Sequence, residues 1–162
     1  MVLKAKSKIL TEGEKAETAH IRLEGGLDET AGPILAELQA IQSGKVIINF
    51  ANIKYVNSLG IRHWINFISL FQEGKEVIFE GCTQDLMMQI NMLPAFQGEC
   101  KVASFSLLYE CESCGHEGTT LLSCEDGRTE LSRQIQEMCC EQCQEQVEAD
   151  EDLESILLFF NR

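Results

Sequence analysis

The segment Val46-Ile47-Ile48-Asn49-Phe50-Ala51-Asn52-Ile53-Lys54-Tyr55-Val56-Asn57-Ser58-Leu59-Gly60-Ile61-Arg62-His63-Trp64 restricts the fold more than any other part of the chain. Residues 46–50 are β-branched or aromatic apart from Asn49, the composition of a buried strand, and the polar residues after them read as a short loop. From Ser58 onward Ile61, Trp64, Ile65, Ile68 and Phe71 recur at helical spacing, which predicts an amphipathic helix from Ser58 to about Gln72. Phe67 and Leu70 fall off that apolar face and are candidates for a contact surface. A strand delivered into a helix is the unit of layered α/β domains. Ser58 thereby comes to a helix N-terminus, where unpaired backbone N–H groups and the helix dipole tolerate an added phosphate.

The flanking segments continue the alternation. Residues 5–10 and His20 to Glu24 read as a strand pair joined through the polar Glu12-Gly13-Glu14-Lys15 turn. Asp28 to Gln42 reads as a helix, with Ile34, Leu38 and Ile41 on one side, Pro33 in its first turn and Gly44 beyond its end. Glu76 to Glu80 reads as a strand, Thr83 as the cap of a short helix ending before Pro94, and Lys101 to Tyr109 as a last strand. The expected class is α/β, a sheet layered with helices over residues 1–109.

After Tyr109 acid and cysteine become more frequent, so residues 110–162 are expected to form a second, smaller unit. Within it Thr119 to Ser123 predicts a strand and Glu125-Asp126-Gly127 a hairpin turn. Leu131, Ile135 and Met138 are spaced as on a helix, and Asp150-Glu151-Asp152 suits the start of a final one.

This last third holds two Cys-x2-Cys pairs, Cys111-Glu112-Ser113-Cys114 and Cys140-Glu141-Gln142-Cys143, separated by a hairpin-sized insert. Zinc takes four soft ligands in a tetrahedron, and one such turn presents two thiolates to one ion. Gly115, just after the second ligand, supplies a backbone shape that glycine adopts cheaply. The pattern is that of a zinc ribbon, with Cys111, Cys114, Cys140 and Cys143 closing the shell of a structural rather than a catalytic ion. Cys139, Cys124 and His116 are alternative ligands. Four thiolates and one Zn2+ would move the formal net charge of −13 to about −15.

With 162 residues and 44% hydrophobic content the chain has material for an ordinary domain and a small one. A charge of −13 repels nucleic acid phosphate and anionic membrane, no basic patch stands out along the sequence, and neither partner is expected. No apolar run reaches the length of a signal peptide or a membrane span, so a cytoplasmic protein is expected and the eight cysteines read as thiols or metal ligands. Cys82 and Cys100 read as small buried residues, and Met87, Met88 and Met92 as core or as an adaptable surface. No histidine-based nucleophile and no glycine-rich phosphate loop is present, so no enzyme is expected.

Together with His20-Ile21-Arg22-Leu23-Glu24-Gly25-Gly26-Leu27-Asp28, the segment around Ser58 resembles the STAS domain, named for sulfate transporters and anti-sigma factor antagonists. The resemblance spans residues ~5 to ~110. Antagonists of that family carry Asp-Ser-(Ser/Thr)-Gly at the helix start, and the first serine accepts phosphate from a partner kinase. Here the same positions hold Asn57, Ser58, Leu59 and Gly60. The resemblance implies a bacterial partner-switching role in transcription signalling, in which Asn57, Ser58, Leu59 and Gly60 meet an anti-sigma factor or related serine-kinase-like regulator and phosphorylation of Ser58 breaks the contact. The alternative is a zinc-stabilised interaction scaffold in which Ser58 only caps its helix. Gly60 costs a first helical turn about 1 kcal/mol relative to alanine, which suggests that a partner approaches the backbone there. The oligomeric state stays open between a monomer and a homo-oligomer.

Overall fold

The computed structural model describes residues 1–12, 16–149 and 152–161. Five strands form one mixed sheet in the order β1-β2-β3-β4-β5: β1 (Lys4–Glu12), β2 (Ala16–Leu27), β3 (Lys45–Val56), β4 (Glu76–Glu80) and β5 (Lys101–Val102). β1 runs antiparallel to β2, and the other neighbours are parallel. The parallel crossovers pass through α1 (Ala31–Leu38), α2 (Ser58–Phe71) and the consecutive helices α3 (Gln84–Met92) and α4 (Pro94–Gln97). The expected α/β class is therefore present.

Alternation builds the core. Ala19, Ile21 and Leu23 of β2, Val46, Ile48 and Phe50 of β3, and Val77 and Phe79 of β4 are buried on the helix side. Trp64 of α2 sits over them, with its ring centroid 5.2 Å from Phe50, 5.8 Å from Phe79 and 5.7 Å from Phe96. Its indole N–H donates to the Phe96 carbonyl at 2.8 Å, so the one polar atom of this buried ring is satisfied. The residues in between face the other way: Lys4, Lys6, Lys8, Arg22 and Lys45 are exposed, and His20, Ile47, Asn49 and Ile78 half-buried.

Several expectations need correction. β3 does not stop at Phe50; it continues to Val56 because Asn52 to Val56 pair with Glu24 to Leu27 across two register shifts, so the loop read from polarity is strand. α1 is shorter than Asp28 to Gln42. Asp28 accepts from the Thr30 N–H at 2.9 Å and the Thr30 hydroxyl at 2.6 Å, a local turn that holds it outside the helix, while Gln39 and Ala40 close the other end through bonds to Ala36 and Glu37. Phe67 is 5% exposed and stacks on Phe71 at 4.7 Å, so of the two surface candidates on α2 only Leu70, at 62%, faces solvent. The turn expected at Glu12-Gly13-Glu14-Lys15 includes residues 13–15, which lie outside the described residues.

The strand expected over Lys101 to Tyr109 divides at Ala103. Two residues finish the main sheet as β5, and β6 (Ser104–Glu110) leaves to pair antiparallel with β7 (Glu117–Ser123). The compositional division at 109/110 falls within β6. Glu125-Asp126-Gly127 does not turn a hairpin; Gly127, at φ +84°, opens α5 (Gly127–Gln136), which buries Leu131 and Ile135. The chain returns through α6 (Leu153–Ile156), capped by the Asp152 carboxylate on the Ser155 N–H at 3.0 Å, to a 3-10 turn at Leu158–Asn161. Asp150 and Glu151, the rest of the expected acidic start, lie outside the described residues. The returning segment is pinned to α3, where the Asn91 side-chain amide donates to the Ser155 carbonyl at 2.9 Å, and Phe159 packs on Phe105 with centroids 5.8 Å apart.

Candidate metal centre and helix-start site

The two Cys-x2-Cys turns are copies of one backbone device. The Cys111 N–H bonds to the His116 carbonyl and the Gly115 N–H returns to the Cys111 carbonyl; at the second turn the Cys140 N–H bonds to Glu145 and the Gln144 N–H returns to Cys140, all within 2.8–2.9 Å. The residue after each second cysteine is left-handed, Gly115 at φ +68° and Gln144 at φ +63°. The glycine expectation thus fits the first turn, while the second places a side-chain-bearing residue in a strained conformation. Backbone N–H groups also point at sulfur: His116 at Cys114, Glu145 at Cys143, and Gln142 at Cys140, the last at 3.4 Å.

β6 and β7 hold the first turn in their loop, and the segment after α5 carries the second against it. The result brings the sulfurs of Cys111, Cys114, Cys140 and Cys143 within 4.8 Å of one another, with Cys111 to Cys143 at 3.5 Å and Cys114 to Cys140 at 3.7 Å. A tetrahedron with Zn–S arms of about 2.3 Å has edges of roughly 3.8 Å, so the tetrad has the size of a thiolate cage for a metal ion. Among the described residues the alternative ligands lie outside this group. Cys139 is exposed with its sulfur toward the Glu137 carbonyl, Cys124 is buried, and His116 pairs with the Glu141 carboxylate at 2.9 Å.

Electrostatics also favours a cation at the centre. Burial opposes ionisation of the Cys140 thiol, but the N–H groups of Cys143 and Gln142 outweigh it and lower it to about 6. At Cys143 the Glu145 N–H pulls down, yet burial and the three neighbouring sulfurs win and push it up to about 12; at Cys114 the His116 N–H pulls down, and burial with the Cys111 and Cys140 sulfurs raises it. The Cys140 thiolate forms readily while Cys114 and Cys143 resist, as expected where like charges crowd together, and a cation would relieve that repulsion. Burial pushes the Cys100 and Cys124 thiols up to about 12 and raises Cys82 further, so these three are inert fillers.

The sequence did not point to Tyr109 as part of this centre. Its hydroxyl accepts the Glu141 N–H at 3.0 Å and so ties β6 to the second turn. Gly118 opposite makes this possible, since a Cβ there would stand 2.4 Å from the Tyr109 oxygen. The His116 to Glu141 contact adds a second tie between the two turns.

At the start of α2 the cap is Asn57, not Ser58. The Asn57 side chain, at φ −120° and ψ 171°, accepts the Gly60 N–H at 2.9 Å, and its amide donates to Glu29 at 2.9 Å. Ser58 is the first helical residue, exposed, and Leu59 beside it is 50% exposed. Gly60 also has an internal reason rather than the expected external one: a Cβ there would lie 1.8 Å from the Leu27 carbonyl oxygen, so the glycine lets α2 start directly against the end of β2. The Asn57 N–H bonds to that same Leu27 carbonyl at 3.0 Å. Nearby, the Thr30 hydroxyl and N–H and the Tyr55 hydroxyl hold the Asp28 carboxyl down at about 2 and keep it ionised, while this contact raises the Tyr55 phenol.

No helix among the described residues is long and apolar enough to cross a membrane. No family model matches the chain, and no curated protein matches it either.

Proposed function

We propose that this chain is a non-enzymatic regulatory binding protein of the STAS, anti-sigma-factor-antagonist kind, held together at its C-terminal end by one structural zinc ion. The metal reading rests on the sulfur tetrad: four cysteine thiolates at tetrahedral spacing suit Zn2+, and with all four positions filled by protein no coordination site remains for substrate. Zinc thiolates and inert buried thiols accord with a reducing, cytoplasmic setting.

The observation that carries the switch reading is the division of labour at the start of α2. Asn57 performs the capping, so the exposed Ser58 hydroxyl is not needed for it and is available for modification beside the exposed Leu59. Phosphorylation of Ser58 would add nearly two negative charges in the middle of a contact formed by Asn57, Ser58 and Leu59, with Gly60 buried beneath it rather than in the contact, against a partner resembling an anti-sigma factor or its kinase-like relatives. Helix-start N–H groups offset part of that charge, so the domain stays folded while the surface changes.

One observation favours the scaffold alternative. Glu29 bonds Asn57 and Asp28 is held ionised next to it, so carboxylates already stand where a phosphate would enter. Affinity capture of the endogenous protein with Ser58→Ala, Ser58→Glu and parent baits separates the readings. Under the switch, alanine retains the partner and glutamate loses it, with melting temperatures alike; equal capture by both rejects the switch and leaves the scaffold.

A further inference from the structure

The open face of the sheet is the large surface that the proposed switch leaves unused. Side chains directly opposite on neighbouring strands share a face, so the register lines residues into rows. One row runs Lys8, His20, Ile47, Ile78, Lys101, and the next Lys6, Arg22, Asn49, Glu80. Lys4 and Lys54 stand together at one end of the face and Lys45 at the other. Seven of the thirteen lysines and arginines are thus gathered on one face of a chain whose net charge is −13. Against them stand five carboxylates, Glu24 near Lys6 at 3.7 Å and Glu76, Glu80, Glu99 and Glu125 gathered at the β4–β5 side, where Glu76 lies 2.7 Å from Lys101, so the cationic excess belongs to the β1–β2 side of the face. A local excess of cations therefore exists that no stretch of sequence displays, because it is assembled by strand pairing.

At its β5 side this face meets a wall. Phe159, Phe160 and Glu125 stand beside Ile47, Ile78 and Val102 and bound a cleft of about 850 Å3, the size of clefts that take side chains or small molecules. Apolar floor, aromatic wall and a rim of carboxylates lie at the β4–β5 side, with Lys45 and Lys101 among them, and Lys4, Lys6, Lys8, Arg22 and Lys54 lie toward the β1 side.

We propose that this face docks an acidic, amphipathic segment of a protein partner, with its apolar side chains in the cleft between Ile47, Ile78 and Phe160 and its carboxylates over Lys8 and Arg22. Charge complementarity selects the acidic partner, and the cleft selects one with apolar anchors. Nucleic acid fits less well, since no Phe, Tyr or Trp stands among the cationic rows and the two phenylalanines of the face lie in the cleft that Glu76, Glu80, Glu99 and Glu125 line, where phosphates are repelled. A flat anionic bilayer would leave the cleft empty.

The test is a fluorescence-anisotropy titration of the zinc-loaded full chain with a labelled synthetic helix-forming peptide that carries Glu on its polar face and Leu and Phe on the other, beside a counterpart with Lys in place of Glu. Micromolar binding of the Glu peptide alone is expected, weakened about tenfold or more by the double variant Lys8→Glu, Arg22→Glu and unchanged by Arg62→Glu on α2. Both reversed residues are exposed, and circular dichroism verifies that the double variant folds. Absence of binding, equal binding of the Lys peptide, indifference to the charge reversal, or tighter binding of a single-stranded oligonucleotide or a phosphatidylserine vesicle would overturn the proposal. Ser58→Glu is expected to bind the Glu peptide as the parent does, so failure of this surface and failure of the serine switch are read separately.

Discussion

The two ends of this molecule reach order by different means. The sheet and its helices are held by a buried aromatic cluster, Trp64 with Phe50, Phe79 and Phe96, and by ladders, one antiparallel and three parallel, that pair every interior strand on both sides. The cysteine region has a two-stranded sheet, one helix with two buried residues, and two backbone turns aimed at a common point. A two-stranded hairpin is marginal by itself. Hydrophobic burial is spread over dozens of atoms and degrades gradually, whereas a cysteine tetrad concentrates its stabilisation on one ion and fails all at once.

Cys114→Ser should expose this contrast most strongly. Metal content, read by elemental analysis, is expected to fall from near one ion per chain, and amide protection over residues 111–147 to drop by at least about 4 kcal/mol, while protection in β3 and α2 stays near the parent. Equal loss in both regions would show that they melt as one. The reciprocal experiment is Gly60→Ala. With a Cβ placed 1.8 Å from a backbone oxygen, a loss of about 3 kcal/mol in denaturant melts followed through Trp64 is expected, with metal content unchanged.

Smaller effects sharpen the comparison. Asn57→Ala should cost about 1 kcal/mol and Ser58→Ala less than about 0.5 kcal/mol in the same melts, because the capping bond belongs to Asn57. The reverse ranking would return the cap to Ser58. Gln144→Gly should raise the resistance of the metal centre to chelator by about 0.5–1 kcal/mol, since glycine removes the left-handed strain that Gly115 already avoids in the first turn. Unchanged chelation kinetics and stability would mean that the glutamine side chain compensates for its strain.

What could be read from the sequence was whatever is decided locally. Glu76 to Glu80 alternates and is a strand over those residues, Thr83 caps α3, and the spacing within each cysteine pair fixes two ligands on one turn. What escaped is decided by distant segments. The second half of β3 looks like a loop because Asn52 and Lys54 are poor strand formers, yet β2 supplies its partners. Asn57 and Ser58 are both good caps, and only the entry angle of the chain chose between them. Phe67 lies off the stripe of α2 but is covered by Trp64 and Phe71. Gly60 answers to a carbonyl far back in the chain, and the lysines of the open face meet only when the strands align.

The anchorage of the cysteine region at both of its ends has a polymer consequence. The chain departs beside Cys82, where the Ser106 N–H bonds to the Cys82 carbonyl, and comes back where Asn91 holds Ser155. Stripped of metal, the intervening stretch is a closed loop rather than a free tail, with less configurational freedom by about 3 kcal/mol for a loop of some fifty residues. Its cysteines remain at high local concentration, so recapture of an ion becomes a ring-closing step within a preformed circuit rather than a search by an unravelled end.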